Sequence, residues 1–317
     1  VLDWADSALP DGRLTDTAPF VGVDYCGVGW AKVHPLLLEQ LHQYYGAYDF
    51  IKEQLPVAMR WLDAEAASRE KGLVVKGLGD HESLTDKEWG AKLTTPVFTD
   101  SARRIARLAT IIEEPKVAER AQTYADESQA AWEKEFLNPN TGVVAEGTQT
   151  AQAFALGFAD NNPETQQRIF KQLIKGLNAP EDAPRLTTGI YGTRILLEEL
   201  SRRWRSDLAY ALVTREAFPS WAYMLANDAT TLWERWEGND GRYSMNHPMF
   251  GSISTWFYRW LGGIQPSVDA IGFDRFYIRP QVQPSLKWVK TSYQSIRGTI
   301  VSNWSVSHSA TTYEIII

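Results

Sequence analysis

The sequence predicts a mainly α chain, helical hairpin after helical hairpin, followed by a small antiparallel β-sandwich. Three observations carry this. Apolar residues recur at three- and four-residue spacing from Val33 to Arg215. Proline and glycine punctuate those segments. From Gly272 onward the period switches to apolar–polar alternation rich in aromatic and β-branched residues.

The opening, VLDWADSALPDG, reads as the end of an amphipathic helix running into a Pro-Asp-Gly turn, so preceding chain is expected. Helices are then predicted over Val33 to Tyr45, Phe50 to Ser68, Thr99 to Ile112, Lys116 to Phe136, Thr148 to Ala159, Pro163 to Ala179, Ile190 to Arg203 and Asp207 to Arg215. Leu55, Met59 and Leu62, or Ile105, Leu108 and Ile112, show the apolar faces. Gly46, Gly72, Pro115, Asn138-Pro139-Asn140, Pro163 and Pro180 supply the stops, by positive φ or a missing N–H. No fixed period repeats, which argues against a solenoid.

After Pro219 come SWAYMLANDATTLWERWEG and YSMNHPMFGSISTWFYRWLGGIQP. The second reads as a long helix whose stripe is Phe250, Ile253, Phe257, Trp260 and Leu261. FDRFYIRP, LKWVKTSYQSI, RGTIVSNWSVS and TTYEIII then read as antiparallel strands, the last an apolar run that a finished domain rarely leaves exposed.

The 317 residues, 44% apolar, suffice for one large domain plus a small one. A net charge of −7 without a long basic run argues against nucleic-acid and anionic-membrane partners. No stretch approaches the roughly 18 apolar residues of a membrane span. The lone Cys26 forms no internal disulfide and leaves the redox compartment open. His34, His42, His81, His247 and His308 are scattered, without metal-ligand spacing, and no nucleophile elbow or phosphate loop is present. Neither metal nor nucleotide cofactor is implied. The 13 Trp, 13 Tyr and 12 Phe have two readings, stacking against sugar faces and filling large helical cores.

SWAYML, ATTLWERW, SMNHPMFGSI, WFYRWLGGI and GFDRFYIRP together resemble the end of the barrel in family 78 glycoside hydrolases, the inverting α-L-rhamnosidases. LPDGRLTDTAP, the Gly29-Trp30 pair, GLGD at Gly77 to Asp80, Leu93 to Thr95, TQTAQAFAL and LTTGIYGT follow in the family's order over nearly the whole chain. The resemblance implies an (α/α)6 barrel over 1–268, lacking its first helices, and a C-terminal β-sandwich over 269–317 that lacks its final strands. It implies a rhamnose-containing oligosaccharide or glycoside as substrate, and by analogy alone a periplasmic or extracellular home. Oligomeric state stays open.

Inverting glycoside hydrolysis needs one carboxylic acid to protonate the leaving oxygen and one carboxylate to activate water, roughly 6.5–9.5 Å apart. By resemblance Glu234, between Trp233 and Trp236, is the general base, in surroundings expected to limit water and raise its basicity. The family's acid-bearing segment would fall before Val1. The plain alternative for Glu234 is an ordinary ion pair with Arg235 or Arg202. His247 matches a histidine that hydrogen-bonds a sugar hydroxyl, with Asn246 shaping the turn; the alternative is a histidine satisfying a loop carbonyl. Trp30 matches a pocket tryptophan, or is core; Asp80 matches a pocket aspartate, or caps its loop; Trp233, Trp236 and His81 are expected to contact the substrate as well.

Two departures touch the expected pocket: His81 stands where the family carries Trp, and Ala31-Lys32 follow the Gly-Trp pair in place of a small or acidic residue. They leave open a binding-only relative whose catalysis has decayed, and an (α/α)6 glycosidase for another sugar. A uronide pocket would need cations, for which Arg235, Arg242 and Lys32 are the candidates.

Overall fold

The computed structural model describes residues 1–22, 27–85, 89–159, 162–179, 181–182, 184–238, 241–308 and 310–317; Cys26 and Pro180 lie outside that set. The chain divides into two compact units, one built from 1–42, 46–81 and 86–174, the other from 43–45, 82–85 and 175–317.

The helices wholly or mainly in the first unit are α1 (Leu2–Asp6), α2 (Val28–Ala31), α3 (Val33–Tyr45), α4 (Tyr48–Ala67), α5 (Ala91–Ile111), α6 (Pro115–Phe136), α7 (Gln149–Phe158) and α8 (Pro163–Leu177). Gly46 ends α3 in the left-handed region, and Pro115 opens α6 where its missing N–H costs nothing. The α5 helix starts eight positions before the expected Thr99, taking in Leu93–Thr95 and Pro96. A proline there deprives the carbonyl four residues back, that of Lys92, of its usual donor. The Trp132 indole supplies it, donating to the Lys92 carbonyl at 2.9 Å. Thr94 Oγ1 donates to the Val74 carbonyl, and the Val74 N–H donates to Thr95 Oγ1 at 3.0 Å, so this turn also ties down the preceding loop.

The α6–α7 connection is organised by one buried amide. Gln152 accepts from the Val144 N–H at 2.7 Å and donates to the carbonyls of Gly142 and Ile169 at 2.8 and 3.1 Å. A loop and the flank of α8 are thereby fastened to α7 by a side chain with no solvent exposure.

The second unit continues with α9 (Ile190–Arg202), α10 (Ser206–Val213) and α11 (Trp221–Ala226), the last capped by Ser220 Oγ, which accepts from the Tyr223 N–H at 2.9 Å. The long helix expected across YSMNHPMFGSISTWFYRWLGG is not formed. Residues up to Pro248 are irregular; a 3-10 turn (Met249–Ser252), α12 (Ile253–Trp256) and a π turn (Phe257–Leu261) follow. Pro248 disfavours helix before it, and the two changes of pitch rotate the stripe. Phe250, Trp256, Trp260 and Leu261 are buried, whereas Ile253 is only half-buried and Phe257 is exposed.

Strands β1 (Ile264–Pro266) and β2 (Phe276–Ile278) pair antiparallel, as do β3 (Trp288–Ser295), β4 (Gly298–Val306) and β5 (Thr311–Ile316) in the order β3-β4-β5. The two sheets share an apolar cluster of Ile264, Phe273 and Ile300, packed by Tyr44, Phe276, Ile278 and Tyr293. Gly263 enters β1 at φ 78°, and a Cβ there would collide with the Pro280 backbone.

Candidate active site

In the second unit the candidate site is anchored at Trp236. Its indole has no exposure, donates to the Thr188 carbonyl at 2.9 Å, and lies 5.1 Å edge-on from Trp221 and 3.9 Å from Phe250 between ring centroids. Trp236, expected among the sugar-contacting residues, is therefore a core residue behind the site: a side chain without accessible surface has no face to offer a sugar. Trp233 is buried as well, with its ring against Gly238.

From that anchor the chain runs back through Arg235 to Glu234, where two irregular stretches are cross-linked by hydrogen bonds. The Glu234 N–H donates to the Ser244 carbonyl at 3.0 Å, the Ser244 N–H returns a bond to Glu234 Oε2 at 2.8 Å, and the His247 N–H donates to the Leu232 carbonyl at 2.8 Å. Thr231 Oγ1 donates to the Met245 carbonyl. This ladder sets Glu234 and His247, both half-buried, on neighbouring rungs. Ser244 Oγ accepts from the Asn246 N–H at 3.1 Å and shapes the turn that sequence reasoning assigned to Asn246, itself exposed.

Arg235, one of the two arginines given as alternative partners of Glu234, lies against Glu82 and Tyr243. Its Nε lies 2.7 Å from Glu82 Oε2, and its guanidinium stacks 4.2 Å from the Tyr243 ring centroid, with Glu237 Oε1 at 3.7 Å. Arg202 is engaged by Glu199 at 3.5 Å. The Glu82 backbone has φ 59°, unusual for a non-glycine residue. Just beyond it, Ser83 Oγ and the Leu84 N–H both donate to the Thr187 carbonyl at 3.0 Å. The LTTGIYGT segment thus holds the Glu82 stretch through Thr187 and the Trp236 indole through Thr188.

In the first unit the other expected residues lie on adjoining segments. Gly27, at φ 109°, leads into α2, which carries the half-buried Trp30; a Cβ on Gly27 would come within 2.5 Å of the Gly77 Cα. That close approach joins the Trp30 helix to the GLGD loop. Asp80 is buried at 3% exposure, and its Oδ2 accepts from Thr150 Oγ1 at 2.7 Å, on the first turn of α7. His81 is half-buried. Lys32 Nζ sits 4.6 Å from the centroid of the Phe158 ring.

Sequence reasoning missed Glu82, Tyr243, Ser244 and Thr188. Each lies inside or beside a quoted motif, yet their pairing is a property of the folded loops that no spacing encodes. Among the described residues no cluster of three or more His, Cys, Asp or Glu is placed to hold a metal, and no helix is long and apolar enough to cross a membrane. A cavity of about 560 Å³ in the second unit is lined by Tyr44, Tyr258, Arg259, Phe273 and Tyr293, and none of the candidate residues lines it.

Paired helices followed by small antiparallel sheets define the class of six-hairpin domains bearing a C-terminal β domain. The chain belongs to the bacterial α-L-rhamnosidases: the profile of their six-hairpin glycosidase domain matches residues 1–261 and that of their C-terminal domain residues 263–317. An α-L-rhamnosidase of Streptomyces avermitilis is 29% identical, over 96% of this chain and 30% of that protein. The solved structure of an α-L-rhamnosidase from that organism complexed with L-rhamnose superposes with a TM-score of 0.88 at 26% identity, over 98% of this chain and 31% of its own. The enzyme from Dictyoglumus thermophilum superposes with a TM-score of 0.93 at 25% identity, over 100% of this chain and 36% of its own. The chain therefore spans about a third of the length of the relatives it matches.

Proposed function

We propose that this chain carries the water-activating half of an inverting α-L-rhamnoside hydrolase, with Glu234 as general base. The observation that carries the reading is the ladder that fixes Glu234 beside His247, on a stretch backed by the Trp221–Trp236–Phe250 core. A carboxylate oriented by a backbone N–H is positioned to accept a proton from water, and the aromatic backing limits competing solvent. In this reading His247 and Asn246 meet sugar hydroxyls and Trp233 backs the stretch that bears Glu234; Trp30, Asp80 and His81, in the first unit, are proposed for sugar contact on their chemistry alone. The proton donor to the leaving oxygen is a second carboxyl, not assigned among these residues.

A neutral sugar is favoured over a uronide: of the three cations named for a uronide, Arg235 is taken up by Glu82 and Tyr243, Lys32 lies over the Phe158 ring, and Arg242 is exposed. We also place the start of the β domain at Gly262-Gly263, a few residues before the boundary at 268 and 269 expected from sequence, because Ile264–Pro266 already pairs with β2.

The test is release of nitrophenol from p-nitrophenyl α-L-rhamnopyranoside by the chain and by Glu234→Gln. This leaving group departs without protonation, so the unassigned acid is bypassed. Release that depends on Glu234 supports the reading. Equal release by both forms refutes it for Glu234. If neither form turns over, a calorimetric titration with L-rhamnose distinguishes a binding-only relative, for which His81 in place of the family's Trp is the motive, from a domain for a different sugar.

A further inference from the structure

Arg235 directly follows Glu234 in the chain, and its guanidinium is held on two sides, by the Glu82 carboxylate at 2.7 Å and the Tyr243 ring at 4.2 Å. Tyr243 in turn precedes Ser244, whose N–H holds the Glu234 carboxylate. The pair is well sheltered, with side-chain exposures of 26% for Arg235 and 13% for Glu82. Glu82 also keeps a left-handed backbone that only surrounding structure can sustain, here through Ser83 and Leu84 on the Thr187 carbonyl.

We infer that Glu82 is a positioning residue for Glu234: its carboxylate pins Arg235, Arg235 pins Tyr243, and the two ends of the ladder bearing Glu234 and Ser244 are thereby held in register. The inference rests on the reading of Glu234 as the base. A guanidinium suits this role because it stays charged, attracts a carboxylate at its edge and stacks its face on a ring. Removing Glu82's charge leaves the sheltered cation only the more distant Glu237 carboxylate at 3.7 Å, which is itself exposed, so Arg235 is drawn toward solvent, releasing Tyr243 and the ladder with it.

The experiment combines amide hydrogen exchange over residues 231–247 with steady-state kinetics on p-nitrophenyl α-L-rhamnopyranoside, for Glu82→Gln, Glu82→Gly, Arg235→Gln and the swapped pair Glu82→Arg with Arg235→Glu. Glu82→Gln is expected to raise exchange at Glu234 and Ser244 about tenfold while α5 amides keep wild-type rates. It is expected to lower kcat about tenfold with KM little changed, the pattern of a displaced catalytic group. Glu82→Gly relieves the backbone strain without restoring the carboxylate and should behave like Glu82→Gln, whereas the swapped pair should recover part of both losses. Wild-type exchange over 231–247 in Glu82→Gln overturns the inference, whatever the activity. Raised exchange in a protein whose turnover ignores Glu234→Gln overturns the reading of Glu234 instead and leaves the anchoring of its loop standing.

Discussion

Glu234 and Ser244 exchange two hydrogen bonds: the Glu234 N–H donates to the Ser244 carbonyl at 3.0 Å, and the Ser244 N–H donates to Glu234 Oε2 at 2.8 Å. The residue proposed to activate water is thus held at one carboxylate oxygen by a backbone N–H ten residues further along the chain. Ser244→Pro deletes that N–H and is expected to lower kcat roughly tenfold to a hundredfold, matching the ~1.5–3 kcal/mol of a hydrogen bond to a charged group. Ser244→Ala keeps the N–H and should stay within a few-fold of wild type. Equal losses in the two variants would show that the side chain, not the backbone, orients Glu234.

The aromatic anchor makes a separate prediction about stability. Trp236 fills space against Trp221 and Phe250 and satisfies the Thr188 carbonyl. Trp236→Ala should cost about 3–5 kcal/mol. Trp236→Phe retains most of the volume but leaves the carbonyl only the Thr193 hydroxyl at 3.4 Å, for about 1–3 kcal/mol. Denaturant titration of the three proteins ranks them, and a Phe variant as stable as wild type would remove the hydrogen bond from the account.

Asp80 and Thr150 form the corresponding bond in the first unit. Thr150→Val is nearly isosteric and withdraws one donor from a buried carboxylate, so a loss of about 1–3 kcal/mol is expected by urea unfolding. Thr150→Ser keeps the hydroxyl and should lose less. Identical losses would mean the methyl group, not the hydrogen bond, matters there.

Acidification tests His34. Its ring is fully buried, Nε2 lies 3.4 Å from Gln54 Oε1, and burial lowers its pKa from 6.5 to about 4, the Gln54 bond opposing the shift. The unfolded chain therefore binds a proton at higher pH than the folded one. This site contributes stability above pH 6.5 that is lost progressively as pH falls toward about 4. The loss amounts to about 3 kcal/mol at most. Unfolding free energies measured between pH 7 and 4 should flatten in His34→Leu relative to wild type; parallel curves would assign the acid sensitivity to other groups.

Helix positions were legible in the sequence because period and punctuation are local properties; α3 was read to the residue and α6 to within one. The start of α5 was not, because what tolerates Pro96 is an indole from a different helix, Trp132. The region after Pro248 misled for a related reason: hydrophobic spacing presumes one pitch, and three pitches occur between Met249 and Leu261. For the site, the motifs pointed to Glu234, His247 and Asp80 as residue types with the right chemistry. Burial separated Trp236 from that list. Glu82 stayed invisible because a charge beside a motif carries no mark of the partner it will find more than a hundred residues later.

One buried amide described above also limits how the gene can drift. Gln152 serves as acceptor for one N–H and donor to two carbonyls at once. Single-nucleotide changes to a glutamine codon yield glutamate, lysine, arginine, histidine, leucine, proline or a stop, and none of these carries an amide. Every one-step missense route out of position 152 therefore sacrifices the fastening of a loop and a helix together, so the position is mutationally isolated: its neighbours in sequence can wander while it stands still.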